Sequence, residues 1–316
     1  MSPERMILTC VALIVALGMA AGAFAAENPR TFTLVPDEHG MVLKTPDGRT
    51  VFCYMTEKPL QTNLTANSVC CLYPLNSPKG VRVVDFAPGD HRHHRGVFLA
   101  WHATDCGDTP ADFWGWGSWA PTEGRVIKNR GVKLTAATAQ SATINARNDW
   151  MIEDRVAIEE SLKLVTAERE GVYVIDLEFT LLPKVDVTLR QTAFGGFCVK
   201  GRKEGKATYT GPGGKIELPP PHHLKPESDW PAAAWYDYTL EPEEGEPFGI
   251  AVLDHPGNPP SPWHNLEPIA MVNPCIVAPG PVTMVRGKPL VLRYRLVVHD
   301  GKPPVDQIEK LSAELR

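Results

Sequence analysis

Hydrophobic and polar positions alternate with a period of two along much of the chain. The clearest run sets Tyr173, Ile175, Leu177, Phe179 and Leu181 against Val174, Asp176, Glu178 and Thr180. A helix advances about 100° per residue and cannot keep such a set on one face, so the run predicts a half-buried strand. The pattern returns near the C-terminus, with Leu290, Leu292, Tyr294, Leu296 and Val298 opposite Val291, Arg293, Arg295, Val297 and His299, and again in Val156, Ile158, Leu162 and Leu164. Shorter candidates are 31–34, 50–54, 81–86, 125–128, 132–136, 142–146 and 249–253. One convincing helix, an amphipathic stretch from Val305 to Leu315, follows Pro303-Pro304. Many short strands separated by turn residues predict an all-β chain, a large antiparallel β-sandwich of the supersandwich kind, closed by a short C-terminal helix.

The N-terminus adds a location. Arg5 precedes an apolar run, Met6 to Ala21, and then Ala23-Phe24-Ala25, the mark of a secretory signal peptide over 1–25. Residues 26–316 are then expected to form a single β-sandwich domain, exported to the periplasm or beyond the cell. The leader is shorter than the roughly 20 apolar residues that span a bilayer, and no later segment could do so, so no stable membrane span is expected after cleavage. Cys53, Cys70, Cys71, Cys106, Cys198 and Cys275 remain in the mature part, irregularly spaced and unlike a zinc knuckle, with disulfides permitted. A net charge of −5 and the lack of a Lys/Arg run exclude a nucleic-acid partner, whose phosphates demand a basic surface. Thirty prolines and 26 glycines, scattered without a repeat, predict long loops, of which Leu218 to Pro231 is the most Pro-rich.

Candidate chemistry concentrates in His91-Arg92-His93-His94-Arg95-Gly96 and the residues that follow, Trp101, His102, Asp105, Asp108, Asp112, Trp114, Trp116 and Trp119. Extended, this segment would put His91 and His93 on one face and His94 with Arg92 on the other. Histidine suits acid–base work near neutrality, and Arg92 or Arg95 could bind a substrate oxyanion through two donors. Alternatively, two imidazoles and an aspartate could hold a divalent metal ion, with His91, His93, His102 and His264 as the ligand candidates. A third reading is a polar turn whose histidines cap backbone groups.

The glycine spacers of Asp112-Phe113-Trp114-Gly115-Trp116-Gly117-Ser118-Trp119 leave flat indoles free to offer their faces, and sugar C–H faces lie well on indole. Trp101, Asp112, Trp114 and Trp116 are therefore candidate substrate contacts, and the competing expectation is that the tryptophans plug one end of the sandwich. Asp254, His255, Asn258, Trp263 and His264 lie in a loop made rigid by four prolines after a strand, where binding groups commonly sit. The pair His222-His223 reads as solvated. Asp176 and Glu178, with Arg293 and Arg295, read as cross-strand ion pairs, and Gly195-Gly196 as a bulge or a close backbone approach to a ligand.

Taken in order, His93-His94-Arg95-Gly96-Val97-Phe98, Asp112-Phe113-Trp114, Gly195-Gly196, Asp254-His255-Pro256, Asn258, Pro262-Trp263-His264 and Asn273-Pro274 resemble an exported bacterial family of unknown function labelled PmoA, "methane oxygenase PmoA". The resemblance spans nearly all of the mature chain and implies a carbohydrate context. Membrane methane monooxygenase subunits are built from several long apolar helices, which this sequence does not have after its leader. The strand pattern also resembles the supersandwich of aldose mutarotases and some polysaccharide lyases. That likeness implies a histidine proton donor, His93 or His94 first and His264 second, with Arg95 placing sugar oxygens.

Three functions fit these residues. The first is an exported enzyme acting on a sugar or glycan by isomerisation, elimination or hydrolysis, with His93, His94, Arg95 and His264 catalytic and no cofactor. The second is a metal-dependent oxidoreductase, and the third a non-catalytic glycan-binding module. The first requires residues some 170 positions apart to meet in one pocket.

Overall fold

In the computed structural model, which describes residues 31–315, the period-two runs are long antiparallel strands. The leader expected over 1–25 lies outside the described residues. A nine-stranded sheet runs in spatial order Gly214–Lys215, Lys206–Gly211, Trp235–Glu241, Phe248–Asp254, Leu290–Asp300, Val172–Pro183, Arg155–Arg169, Ser141–Ile152 and Arg125–Ala137. A seven-stranded sheet runs Thr33–Asp37, Gly40–Lys44, Thr50–Met55, Cys71–Leu75, Val97–Ala100, Gly196–Lys200 and Met271–Val272. A smaller sheet of four short strands includes Val187–Leu189 and Thr104–Cys106.

The two large sheets pack face to face through one continuous core. Phe197 of the seven-stranded sheet stacks on Tyr294 of the nine-stranded one, ring centroids 4.1 Å apart at 11°, and Trp101 meets Trp150 at 5.8 Å. Such rings supply much of the apolar area that holds a sandwich together. The central strands turn tightly: Glu170 and Gly171, both at positive φ, join Arg155–Arg169 to Val172–Pro183 in a two-residue loop whose twist matches the strands.

On the outer face of the nine-stranded sheet, Asp176 lies opposite Arg295 and Glu178 opposite Arg293. Arg293 Nε meets Glu178 Oε2 at 2.7 Å, and Arg295 grips both Asp176 oxygens at 2.5 and 2.9 Å. These are the cross-strand pairs expected from the sequence. Arg295 also donates to the Leu311 carbonyl at 2.8 Å, which ties down the helix Val305–Ala313. Ile308 and Leu311 complete the seal over Trp235, Leu253 and Val297.

Two expectations need correction. Within 81–86, Arg82, Val84 and Phe86 form isolated bridges to Asn76, Gly201 and Arg95 rather than a strand of their own. The candidates 125–128 and 132–136 are one strand, Arg125–Ala137, interrupted by irregularities at Asn129/Gly131 and Leu134/Ala136, because a bulge breaks the alternation without ending the pairing. The six described cysteines are all free thiols, five of them buried.

Candidate functional site

Three neighbouring strands at one edge of the seven-stranded sheet, Val97–Ala100, Gly196–Lys200 and Met271–Val272, organise the site. Because Phe197 points at the other sheet, its neighbours Cys198 and Lys200 and the paired Phe98 point outward. On that outer face Trp114 packs on Phe98 at 4.7 Å and against His94 at 5.6 Å. Loops flanking the three strands, joined by Trp116 and His223 from two further loops, then close a cavity of about 250 Å³ lined by His91, His93, His94, Trp116, Phe194, His223 and His264, with Leu266, Ile269 and Met271 as its apolar wall.

The histidine segment is a turn and not an extended strand. His91 N–H donates to Pro88 O and His94 N–H to His91 O, both at 3.0 Å. All three rings consequently meet, with centroids 4.6 Å apart for His93 and His94, 5.1 Å for His91 and His94 and 5.7 Å for His91 and His93. Burial pushes His93 down to about 3 and His94 well below the ordinary histidine range, and neighbouring positive charges add to the effect. Both are neutral at physiological pH and serve as hydrogen-bond donors or acceptors more readily than as acids. The Nδ1 atoms of His91 and His94 are buried with no hydrogen-bond partner among the described residues.

His264 has a different setting. Its Nδ1 lies 2.7 Å from Asp229 Oδ1, and both side chains are sealed from solvent. Burial raises the Asp229 carboxyl, and the hydrogen bond from His264 works against that rise. With Nδ1 held, Nε2 is the nitrogen left for the cavity. The Trp263 ring, fully buried, packs edge-on to Tyr236 at 5.1 Å, so alternation turns His264 the other way.

Several candidate contacts are placed elsewhere. Arg95 is fully buried, with its guanidinium 4.3 Å from the Phe98 ring centroid and its donors on the carbonyls of Val69, His93, Phe113 and Trp114. It pins the histidine turn to the tryptophan loop and does not reach a substrate. Arg95→Ala would leave those carbonyls buried without donors, so we expect a loss of about 4 kcal/mol or more in a urea unfolding curve. A substrate-binding role alone would leave the curve unchanged. Arg92 is exposed and is not among the cavity residues.

Asp112 accepts from the N–H groups of Gly115 and Gly117 at 2.7 and 2.6 Å and shapes the loop. Trp101 and Trp114 are core residues, 1% and 0% exposed, while Trp116 does face the cavity. Gly195 and Gly196, at positive φ, permit close approach to the Trp101 indole, which a Cβ would meet at 3.1 and 3.2 Å; their constraint is packing and not a ligand. Asp254, His255 and Asn258 lie at other surface hollows sharing no residue with the histidine cavity. There Asn258 donates to Asp254 at 2.6 Å and to Arg293 O at 2.7 Å, a staple for the loop.

Among the described residues, no group of three or more His, Cys, Asp or Glu side chains is arranged to hold a metal ion. His102, one of the proposed ligands, instead stacks on Phe194 at 4.3 Å between Trp116 and Trp119.

Three participants escape sequence reasoning. Asp229 sits 35 positions before His264 in a Pro-rich loop with no local mark of its role. His223 is exposed, as its solvated reading has it, and it also borders the cavity beside Trp116, which that reading did not include. Lys200 is fully buried and donates to Gly201 O at 2.9 Å; its charge helps hold His91 and His94 neutral.

No curated protein matches the chain in sequence. Among solved structures, it is similar to a galactose mutarotase related enzyme from Lactobacillus acidophilus, with 8% identity and a TM-score of 0.39 over 86% of this chain and 98% of that one. A galactose mutarotase-like protein from Lactobacillus casei is similar at 8% identity and a TM-score of 0.37, over 85% of this chain and all of the other. Residues 42–313 match the family of unknown function DUF6807, and the chain belongs to that family.

Proposed function

We propose that this is an exported carbohydrate-acting enzyme in which His264, oriented by Asp229, carries the proton, while His93 and His94 hydrogen-bond substrate oxygens as neutral imidazoles. The observation that carries this reading is the meeting of His264 with the 91–94 turn and Trp116 around one small cavity. Its volume of about 250 Å³ lies below the roughly 300 Å³ at which pockets for drug-sized ligands begin, so a ligand of monosaccharide size fits. A pyranose offers apolar C–H faces for Trp116 and the Leu266, Ile269 and Met271 wall, and hydroxyls for the imidazoles. The roles differ from the order expected from sequence, since burial together with positive neighbours holds His93 and His94 neutral, whereas His264 has a carboxylate partner at 2.7 Å to offset a charge.

The chemistry is a proton transfer with a charged intermediate state of the ring. His264 Nε2 takes a proton, Asp229 at 2.7 Å offsets the imidazolium charge, and the proton then passes to the oxygen whose C–O bond breaks. Taken from the anomeric O–H, it goes to the ring oxygen as the ring opens to the carbonyl form (isomerisation); taken from a C–H, it goes to the departing glycosidic oxygen as a C=C bond forms (elimination); taken from a water that bonds to the anomeric carbon, it goes to the departing glycosidic oxygen (hydrolysis). Proton NMR in D₂O on neutral and acidic monosaccharides and their β-linked disaccharides reads all three, as anomeric interconversion, a new ring alkene or a new reducing end. One such product should form, and His264→Ala should abolish it. Binding without any product would make the protein a glycan-binding module, and a product unaffected by the substitution would overturn the assignment of His264.

A further inference from the structure

A second hollow, about 580 Å³, lies beside the histidine cavity and is lined by Trp119, Gln191, Thr192, Leu224, Glu227 and Pro262 among others. The two share no lining residue, yet the same four stretches of chain wall both. Trp116 faces one and Trp119 the other; Phe194 faces one, Thr192 and Ala193 the other; His223 faces one and Leu224 the other; His264 faces one and Pro262 the other. His102 stands between them, with its ring centroid 5.4 Å from both Trp116 and Trp119.

The hollow also carries an exposed apolar surface that the fold does not use. Trp119 is 41% and Leu224 54% exposed, two of only five large hydrophobic side chains so exposed among the described residues. His102 meets Trp119 edge-on at 87°, which fixes the indole while leaving it open to the hollow. Polar groups of Gln191 and Glu227 stand beside this platform. An indole face next to hydrogen-bonding side chains recognises a sugar ring for the reasons that apply to Trp116.

We propose that this hollow is a second sugar subsite, so that the protein acts on an oligosaccharide whose reacting residue occupies the histidine cavity while the adjoining residue lies on Trp119. The proposal rests on the carbohydrate reading above. Its consequence is specificity for chain length: the histidine cavity admits one residue, and the larger hollow contributes affinity only to longer ligands.

The test is calorimetric titration with β-1,4-linked glucose, galactose and xylose ligands of one to four residues, on the wild type and on Trp119→Ala, Leu224→Ala and Trp116→Ala. Affinity should rise with length by about tenfold, the size of one good aromatic contact. Trp119→Ala and Leu224→Ala should remove that rise while leaving single sugars bound as before, whereas Trp116→Ala should weaken every length. Single sugars bound in a Trp116-dependent way with no gain from length would overturn the subsite and leave the carbohydrate reading standing. Equal weakening of all lengths by Trp119→Ala would also overturn it. No binding at any length would remove both proposals. Near-UV circular dichroism of each variant separates a lost contact from a lost fold.

Discussion

Acidification below pH 4.5 should unfold the protein cooperatively, with the acid midpoint between pH 3 and 4.5. The cause is the set of buried imidazoles. His93 and His102 are pushed down to about 3, His94 is held well below the ordinary histidine range, and His91 is also lowered, all chiefly by burial. In the unfolded chain these rings take up protons at an ordinary value near 6.5. Between that pH and the folded values, the unfolded state binds more protons, so their contribution is complete above 6.5 and is lost as pH falls. Each such ring costs about 1.4 kcal/mol per pH unit in that window.

Four carboxyls raised by burial act in the opposite sense. Burial raises Glu160 to about 7 and Asp254 to about 6, and moves Asp112 and Asp229 in the same direction. Their contribution is complete below ordinary carboxyl values near 4 and fades as pH rises through the folded values, so on acidification they offset part of the histidine loss down to about pH 4. Below that point nothing compensates, and a domain stable by about 5–15 kcal/mol cannot withstand several charged core imidazoles. Urea midpoints at pH 7, 5.5, 4.5 and 3.5 should therefore fall gently and then steeply. A midpoint that stays level to pH 3 would contradict the neutral, buried histidine cluster. His102→Phe should make the loss shallower by about one histidine's share, about 1.4 kcal/mol per unit.

The second large effect concerns turnover. His264→Ala should lower kcat by about 10²–10⁴-fold, the usual contribution of a positioned acid–base group. Asp229→Asn should cost about 10²-fold or more although it changes one atom, because Asp229 fixes the His264 tautomer that leaves Nε2 able to accept a proton. Its effect should fall on kcat more than on KM, since Asp229 itself is not among the cavity residues. Asp229→Asn with unchanged kcat would show that the pair serves packing alone.

Much of the fold was legible because long paired strands impose a local signature. Tyr173 to Leu181 and Leu290 to Val298 alternate cleanly, and the opposed charges Asp176, Glu178, Arg293 and Arg295 even indicate which strands lie side by side. The segment 81–86 misled because its residues make single bridges to three different stretches, at Asn76, Gly201 and Arg95, and not a continuous ladder with one partner. Within the site, the concentration of histidine and tryptophan marked the right region, but residue type does not reveal orientation. Arg95 resembles a substrate clamp by chemistry and is instead a bracket for four carbonyls. Trp114 and Trp116 differ by two positions, yet one is core and the other wall, because Gly115 at φ +100° reverses the alternation against Ala66. The partnership of Asp229 with His264 and the place of His223 at the cavity arise only when the Pro-rich loop before Trp235–Glu241 packs against the other sheet's loops, and no local pattern encodes that.

Whether the cavity shared by the 91–94 turn and His264 receives a sugar is read from side-chain ¹⁵N spectra of histidine-labelled protein titrated with the monosaccharide and oligosaccharide panel. We predict that a binding sugar shifts the signals of His91, His93, His94 and His264 together and leaves His255 and His299, which are not among the cavity residues, unmoved. Shifts confined to His255, or a bound sugar that moves none of the four, would contradict it.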